Sequence, residues 1–160
     1  MTQVFVAIGS NYNGHTNIVK ALAALEKAFG KLEVSSVYKN LSLENKGGDY
    51  LNLVVAFTTA LTGKELISNL KSIEKQLGRT VFSKLDQKVC IDLDLILFGD
   101  FKGKFGNTNI PSVCVVMHSF VLAPLAEIAA QLKEPHSGET YAALWEKFDK
   151  SKHVLTKVSF

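Results

Sequence analysis

The sequence is short of cysteine, of net charge and of long apolar runs. Its two cysteines, Cys90 and Cys114, have no CxxC or other metal-type spacing, and this usage fits a reducing cytoplasm. The net charge is only +3 and the lysines are scattered rather than grouped in a basic block, so the charge does not require a nucleic-acid partner. No apolar stretch is long enough to cross a bilayer. We therefore expect a soluble, cytoplasmic protein with neither a membrane nor a nucleic acid as its partner.

Two further signals are missing. No basic segment precedes the apolar residues at 4–8, so we expect no signal peptide. No GxxxxGK(S/T) motif occurs, which excludes a P-loop kinase. The composition that remains is ordinary for a globular protein, with 47% hydrophobic and 21% charged residues. A chain of 160 residues is long enough to bury a core without disulfides, so we expect a single domain over residues 1–160.

Apolar periodicity and turn residues predict the order of the main elements. They are strand one at 4–8, helix one ending at Gly30, strand two at 34–38, strand three at 50–59, helix two from Thr62 to Gly78, and strand four around 91–98. Two more helices are predicted at 119–130 and 140–148, after a loose hairpin between Gly99 and Asn109. This order is typical of an α+β protein with a ferredoxin-like βαββαβ sheet, spatial order 4-1-3-2, and additional C-terminal helices.

Two aspartates interrupt the apolar run of strand four. Asp92 and Asp94 are two residues apart, so their side chains share one face of the strand, although aspartate is a poor strand former. Their charges repel unless a cation lies between them, and oxygen ligands favour a hard ion such as Mg²⁺. The pair therefore predicts magnesium-dependent phosphate chemistry. The alternative is that both aspartates simply face solvent on a half-buried strand.

The predicted topology places other polar residues beside this pair. Strands one and two run parallel in a ferredoxin-like sheet, and strands three and four run opposite to them. The end of strand one therefore meets the beginnings of strands three and four. Residues 9–11, 50–52 and 92–94 are expected to converge there, and the long polar loops at 40–49 and 79–89 to close over them.

Seven short segments occur in order over about four fifths of the chain: residues 7–11, 35–38, 49–52, 73–79, 91–94, 97–100 and 120–128. Together they resemble the hydroxymethyldihydropterin pyrophosphokinase family. The resemblance implies a folate-pathway enzyme that transfers pyrophosphate from ATP to 6-hydroxymethyl-7,8-dihydropterin with two magnesium ions. ATP and the pterin are then the expected partners, and a monomer is the expected state.

The resemblance also implies roles for individual residues. Asp92 and Asp94 match the aspartates that bind the two magnesium ions, while Tyr50 and Phe120 match two rings that enclose the pterin. Asn52 matches an amide that bonds the pterin edge, where a carboxamide can both donate and accept. By the same resemblance, the pterin is expected to contact Leu43 and Gly9. The nucleotide is expected to contact Glu74, Arg79 and Lys84, and catalysis is expected to involve Lys88 and His118.

Each of these residues also has an ordinary structural interpretation. Tyr50 and Phe120 are alternatively core aromatics, and Asn52 a cap between loop and strand. Glu74 is alternatively an exposed helix residue paired with a neighbouring lysine, and Gly9 a residue of a tight turn.

The chain departs from the family pattern at the phosphate-binding positions. Val89 stands where the family has an arginine, Ser112 where it has a histidine, and His118 where it has another arginine. Arg79 is the one expected arginine that remains, and Lys84, Lys88 and His118 compensate only in part because lysine lacks the guanidinium fork. Reduced activity is therefore expected. The alternatives are a catalytically weak or inactive pterin-binding or regulatory paralogue, and a ferredoxin-like RNA-binding module.

Overall fold

A computed structural model describes residues 1–40, 49–79, 88–151 and 154–160. The predicted site residues Leu43 and Lys84, and most of both long loops, lie outside the described residues.

Within those residues the chain is a mixed α+β protein, as the sequence predicted. Its elements are β1 Thr2–Ser10, α1 Gly14–Phe29, β2 Glu33–Val34, β3 Val37–Asn40, β4 Tyr50–Thr59, α2 Gly63–Gln76, β5 Asp92–Phe98, β6 Gly103–Phe105, β7 Thr108–Ile110, α3 Cys114–Met117, α4 Ser119–Ile128, α5 Tyr141–Lys147 and β8 Leu155–Val158. Helix α2 begins with a capping box in which Thr62 and Glu65 bond each other's backbone amides. No helix in the described residues is long and apolar enough to cross a membrane.

The main sheet is antiparallel and has the order β5-β1-β4-β3-β8, with β2 also paired to β4. The prediction of one continuous strand at 34–38 was wrong. At Ser35 the side-chain Oγ accepts from the Val54 amide at 2.9 Å, in place of a backbone carbonyl, and the ladder is interrupted there. Helix α3 and strand β8 were not predicted, and β8 forms the outer edge of the sheet beside β3. The predicted loose hairpin is present as β6 and β7.

Both faces of the sheet are covered by helices. Helices α1 and α2 pack on one face against residues such as Val6, Leu53 and Leu93. Helix α4 packs on the other face against residues such as Phe5 and Val54. An RNA-binding module of this fold uses an exposed aromatic sheet face, so the cover on both faces is evidence against that alternative.

Candidate active site

Three adjacent strands place predicted site residues side by side at one end of the sheet. Gly9 of β1 is paired with Asn52 of β4 on one side and with Asp92 of β5 on the other. Asp94 is paired with Ala7, the residue two positions before Gly9. Paired residues and alternate residues share a face, so these side chains and that of Tyr50 lie on the face that α4 covers farther along the strands. The two aspartates therefore do share a face.

Gly9 gives the Asn52 amide the space that it occupies. A Cβ atom at Gly9 would lie 3.0 Å from Asn52 Oδ1, closer than side chains normally approach. Asn52 is buried, and its Nδ2 donates a hydrogen bond to Asn40 Oδ1 on β3. Glycine therefore leaves room for the Asn52 side chain between the strands, and the hydrogen bond to Asn40 orients the amide.

Arg79 joins the aspartate pair to helix α2. Its Nη1 donates to Asp92 Oδ1 at 2.6 Å, to a carboxylate oxygen of Glu74, and to the backbone oxygen of Ile91 at 3.3 Å. Burial opposes the charged guanidinium, but the bonds and charges of Asp92 and Glu74 outweigh it and raise the pKa of Arg79. Arg79 is therefore a fixed cation beside Asp92.

Glu74 is a buried part of this cluster and not an exposed helix residue. Its side chain is only 3% exposed and lies between two cations, since Lys71 Nζ donates to Glu74 Oε1 at 2.8 Å while Arg79 contacts its other oxygen. Lys71 Nζ also lies 4.0 Å from Asp94 Oδ1. Sequence reasoning had treated Lys71 only as a partner of Glu74, although its position three residues earlier on the helix places both side chains on one face.

The phenol of Tyr50 lies within electrostatic reach of this cluster. Partial burial, and then the charge of Asp92, raise the pKa of the Tyr50 hydroxyl, while Arg79 opposes the shift. Tyr50 therefore stays a neutral phenol at physiological pH. It is able to offer a ring face and a hydroxyl to a ligand without adding negative charge.

Asp94 carries charge that the protein neutralises only in part. Partial burial, followed by the charge and hydrogen bonding of Asp92, raises the pKa of Asp94 to about 7, although Lys71 opposes the shift. Asp92 and Asp94 carry negative charge that the protein balances only in part, and such a pair of carboxylates suits a hard divalent cation. Among the described residues no group of three or more His, Cys, Asp and Glu forms a metal centre. Asp92 and Asp94 therefore fit an ion that also takes phosphate or water oxygens as ligands.

The raised pKa predicts how the stability of the metal-free protein depends on pH. The usual pKa of the group is 3.8, so between about pH 4 and 7 the folded state holds a proton on Asp94 that the unfolded state lacks. Protonation favours the folded state, and this stabilisation is lost as the pH rises through 7. In EDTA, Asp94→Asn is expected to unfold at a higher temperature than the wild type at pH 8, with a smaller difference at pH 5. Asp100→Asn, at an exposed carboxylate just after β5, is the control. An equal difference at both pH values contradicts the prediction.

A groove of about 260 Å³ runs along the outer edge of β5 and reaches Asp94. Lys71 and Asp94 line it together with residues of α2, of β5 and of the β7-to-α3 segment: Ile67, Leu70, Leu95, Thr108, Asn109 and Ser112. Its lining combines apolar side chains with the charged side chains of Lys71 and Asp94. Such a lining suits a ligand with a flat apolar part and an anionic part.

The remaining predicted residues contact neighbouring aromatic rings. Phe120 is in the first turn of α4, partly buried against the core, and its ring stacks on the imidazole of His118 with centroids 4.9 Å apart. Lys88 lies with Nζ 5.0 Å from the centre of the Tyr12 ring. The structure therefore places the ammonium group of Lys88 above an aromatic ring.

The turn after β1 fixes the segment that leads into β5. Asn11 N–H donates to the Val89 oxygen at 2.9 Å, and Val89 N–H donates to Asn11 Oδ1 at 2.5 Å. The buried Ser10 hydroxyl donates to the Cys90 oxygen at 2.7 Å. Ser10 and Asn11 therefore set the position at which the aspartate strand begins. The sequence predicted that residues 9–11 lie beside the start of the aspartate strand, but it did not predict these hydrogen bonds.

Comparison with known proteins gives one consistent family. Residues 5–130 match the family described as 7,8-dihydro-6-hydroxymethylpterin-pyrophosphokinase (HPPK). The 2-amino-4-hydroxy-6-hydroxymethyldihydropteridine pyrophosphokinase of Synechocystis sp. is 35% identical over 83% of this chain and 69% of its own length. The protein of the same name from Haemophilus influenzae is 32% identical over 86% of this chain and 88% of its own. In the solved wild-type HPPK-DHPS of Plasmodium falciparum, the matching region has a TM-score of 0.72 at 16% identity, covering 92% of this chain but only 43% of that one.

Proposed function

Because the chain belongs to the 7,8-dihydro-6-hydroxymethylpterin-pyrophosphokinase family, we propose that the end of its sheet carries the transfer of pyrophosphate from ATP to 6-hydroxymethyl-7,8-dihydropterin. The protein is thus a pyrophosphokinase, a transferase of folate biosynthesis. The hydroxymethyl oxygen forms a bond to the β-phosphorus, the bond from that phosphorus to the α-phosphate oxygen breaks, and AMP leaves. The observation that supports this site is the shared face of Asp92 and Asp94 beside Gly9 and Asn52.

Asp92 and Asp94 would hold two magnesium ions together with ATP. Both side chains lie on one face and offer only oxygen ligands, which magnesium prefers. The chemistry that magnesium supplies when bound is neutralisation of phosphate charge. Arg79 is the protein's own cation at this place, and its fixed guanidinium suits a phosphate oxygen. Glu74 contacts both Arg79 and Lys71 and orients their side chains. These residues position and neutralise the triphosphate, which is most of what phosphoryl transfer requires.

The groove beside β5 is the proposed nucleotide site. Its apolar lining residues, which include Ile67 and Leu95, suit the base, and the phosphates are proposed to lie beside Asp94. Lys71 also lines the groove, with Nζ 4.0 Å from Asp94 Oδ1. Lys84, which lies outside the described residues, is proposed for the same ligand from the family resemblance.

The pterin is proposed to lie on the β4 side of the aspartates. Tyr50 lies on the sheet face that α4 covers, Phe120 lies on α4, and Asn52 is two residues after Tyr50 on the same face of β4. Gly9 leaves the space that the amide needs. Leu43, outside the described residues, is proposed as a further contact. A monomer of one domain over residues 1–160 is proposed from the family resemblance.

The strand order around β1 also supports the finer assignment of a ferredoxin-like βαββαβ unit with additional C-terminal helices. A cytoplasmic location is proposed because ATP is the phosphate donor.

Turnover is proposed to be slow. Val89 and Ser112 offer no positive charge beside Asp92 and Asp94, and His118 stacks on Phe120. Of the phosphate-binding arginines expected from the family, Arg79 remains. A charge-assisted hydrogen bond contributes about 1.5 to 3 kcal/mol, so the loss of two or three lowers the rate substantially.

The test is the formation of AMP from ATP with 6-hydroxymethyl-7,8-dihydropterin and Mg²⁺, with diphosphorylated pterin measured in parallel. Equal amounts of the two products, dependent on the pterin, are the expected result. Pterin binding without AMP would instead support a regulatory or inactive pterin-binding paralogue. A protein that neither binds the pterin nor forms AMP contradicts the proposal.

Lys71 is expected to contribute to nucleotide binding because its ammonium group faces Asp94 at the groove. Lys71→Gln should weaken binding of the magnesium complex of an ATP analogue by roughly tenfold, the loss of one exposed charge-assisted contact. Lys75→Gln, an exposed change one turn farther along α2, is the matched control. Calorimetric titration at low and high salt measures this loss of affinity, which should become smaller as the salt concentration increases. Equal affinities for the two variants contradict the assignment.

A further inference from the structure

Glu127 joins helix α4 to strand β3 through both of its carboxylate oxygens. Oε1 accepts from the backbone amide of Ser36 at 2.6 Å, and Oε2 accepts from the Tyr38 hydroxyl at 2.7 Å. Lys157 of the edge strand β8 lies 3.7 Å from Oε2. These bonds lower the pKa of Glu127 despite the opposing effect of burial. The carboxylate is therefore a charged, fully engaged link between two elements.

The two elements that Glu127 joins carry different parts of the proposed pterin site. Phe120 lies seven residues before Glu127, two turns along the same face of α4. On β3, Tyr38 is paired directly with Asn52, and Asn40 accepts the hydrogen bond from the Asn52 amide. The Phe120 ring therefore belongs to helix α4, on one side of the Glu127 link, and the orientation of the Asn52 amide depends on strand β3, on the other side.

Attachment of α4 to the sheet does not itself require Glu127. Val121, Leu122 and Leu125 of this helix are buried against the sheet and supply the apolar contact. A partly buried carboxylate costs desolvation that an apolar side chain does not, so its presence adds little attraction. Its two short hydrogen bonds instead fix where α4 lies relative to β3, because hydrogen bonds depend on direction and apolar contacts do not.

We propose that Glu127 is a positioning residue of the pterin site, which sets the separation between Phe120 and Asn52 through Ser36 and Tyr38. This inference rests on the proposed function, because it takes the pterin to bind between these residues. It assigns Glu127 no contact with the nucleotide. Loss of the link should thus affect the pterin and leave the nucleotide groove beside β5 unchanged.

The experiment compares Glu127→Ala, Glu127→Gln and Tyr38→Phe with the wild type. The dissociation constant of the pterin is measured by fluorescence quenching in the presence of a magnesium ATP analogue, and that of the nucleotide by calorimetry. Glu127→Ala should weaken pterin binding by about tenfold or more and change nucleotide binding by less than about twofold. Glutamine retains an acceptor for Ser36, so Glu127→Gln should recover most of the pterin affinity. Tyr38→Phe, which removes one of the two bonds, should lie between the wild type and Glu127→Ala.

Glu134→Gln is the matched control for a merely structural carboxylate. Glu134 is 6% exposed and accepts backbone bonds from His136 and Ser137 in the turn after α4. This variant should lower the unfolding temperature and leave the pterin dissociation constant within about twofold of the wild type.

Two results would overturn the inference and are distinguishable. If the wild type binds the pterin and Glu127→Ala binds it equally well, or loses pterin and nucleotide affinity by the same factor, Glu127 only stabilises the fold. If the wild type does not bind the pterin at all, the proposed function fails and this inference fails with it. Glu127→Gln and Tyr38→Phe keep the comparison decisive if the alanine variant does not fold.

Discussion

Asp92→Ala is expected to abolish magnesium-dependent nucleotide binding and to lower the rate of AMP formation by roughly a thousandfold or more, the scale of losing a group that stabilises charge in phosphoryl transfer. Asp92 supplies one of two carboxylates on the shared face and also holds Arg79 through a bond of 2.6 Å. The change therefore removes a proposed metal ligand and one of the bonds that hold the adjacent cation, Arg79. Calorimetry with a magnesium ATP analogue and an AMP assay measure the two effects.

Asp100→Ala is the control for Asp92→Ala, since Asp100 is exposed just beyond β5 and has no part in the proposed site. It should leave both affinity and rate within about twofold of the wild type, as expected of a surface substitution. Unchanged affinity for the magnesium nucleotide in Asp92→Ala would overturn the metal assignment.

Val89→Arg is expected to raise the rate, and Val89→Arg with Ser112→His to raise it further. A combined increase of about tenfold corresponds to about 1.4 kcal/mol of recovered transition-state stabilisation. The backbone of Val89 is held by Asn11, so a new side chain starts from a fixed point near Asp92, and Ser112 already lines the groove beside Asp94. AMP formation at saturating magnesium ATP is the measurement.

Val89→Lys separates geometry from charge in this experiment. Lysine adds the same charge as arginine but lacks the planar fork that binds two phosphate oxygens, so its gain should be smaller. A wild-type rate that is already fast and does not respond to Val89→Arg or Ser112→His would show that other cations fill these positions. The proposed defect would then be wrong.

Local sequence patterns predicted where helices and strands lie better than they predicted which residues and strands pair with each other. The capping box at Thr62 and Glu65, the glycine after α1 and the apolar run within 50–59 are signals carried by neighbouring residues, and the structure has the corresponding elements. The division of strand two depends on a hydrogen bond between Ser35 and Val54, 19 positions apart. Strand β8 depends on pairing with β3 across most of the chain. Such long-range partners leave no periodic signal in a short segment.

The aspartate pair was predictable from spacing, and its surroundings were not. Side chains two apart on a strand share a face, and the register bears this out for Asp92 and Asp94. The burial of Glu74 and the approach of Lys71 to Asp94 depend on how α2 packs beside β5. The groove also needs the β6–β7 hairpin and α3, whose positions relative to β5 a single sequence does not specify.

The bond between Arg79 and Asp92 competes with the ligands proposed for these two groups. On the proposed assignment a free magnesium ion would have to displace the guanidinium from Asp92, and free ATP would have to draw Arg79 away from its carboxylate partners. The magnesium complex of ATP brings a cation for Asp92 and an anion for Arg79 together, so one ion pair is exchanged for two. The proposed site is therefore expected to bind the magnesium complex of ATP more tightly than it binds either component alone.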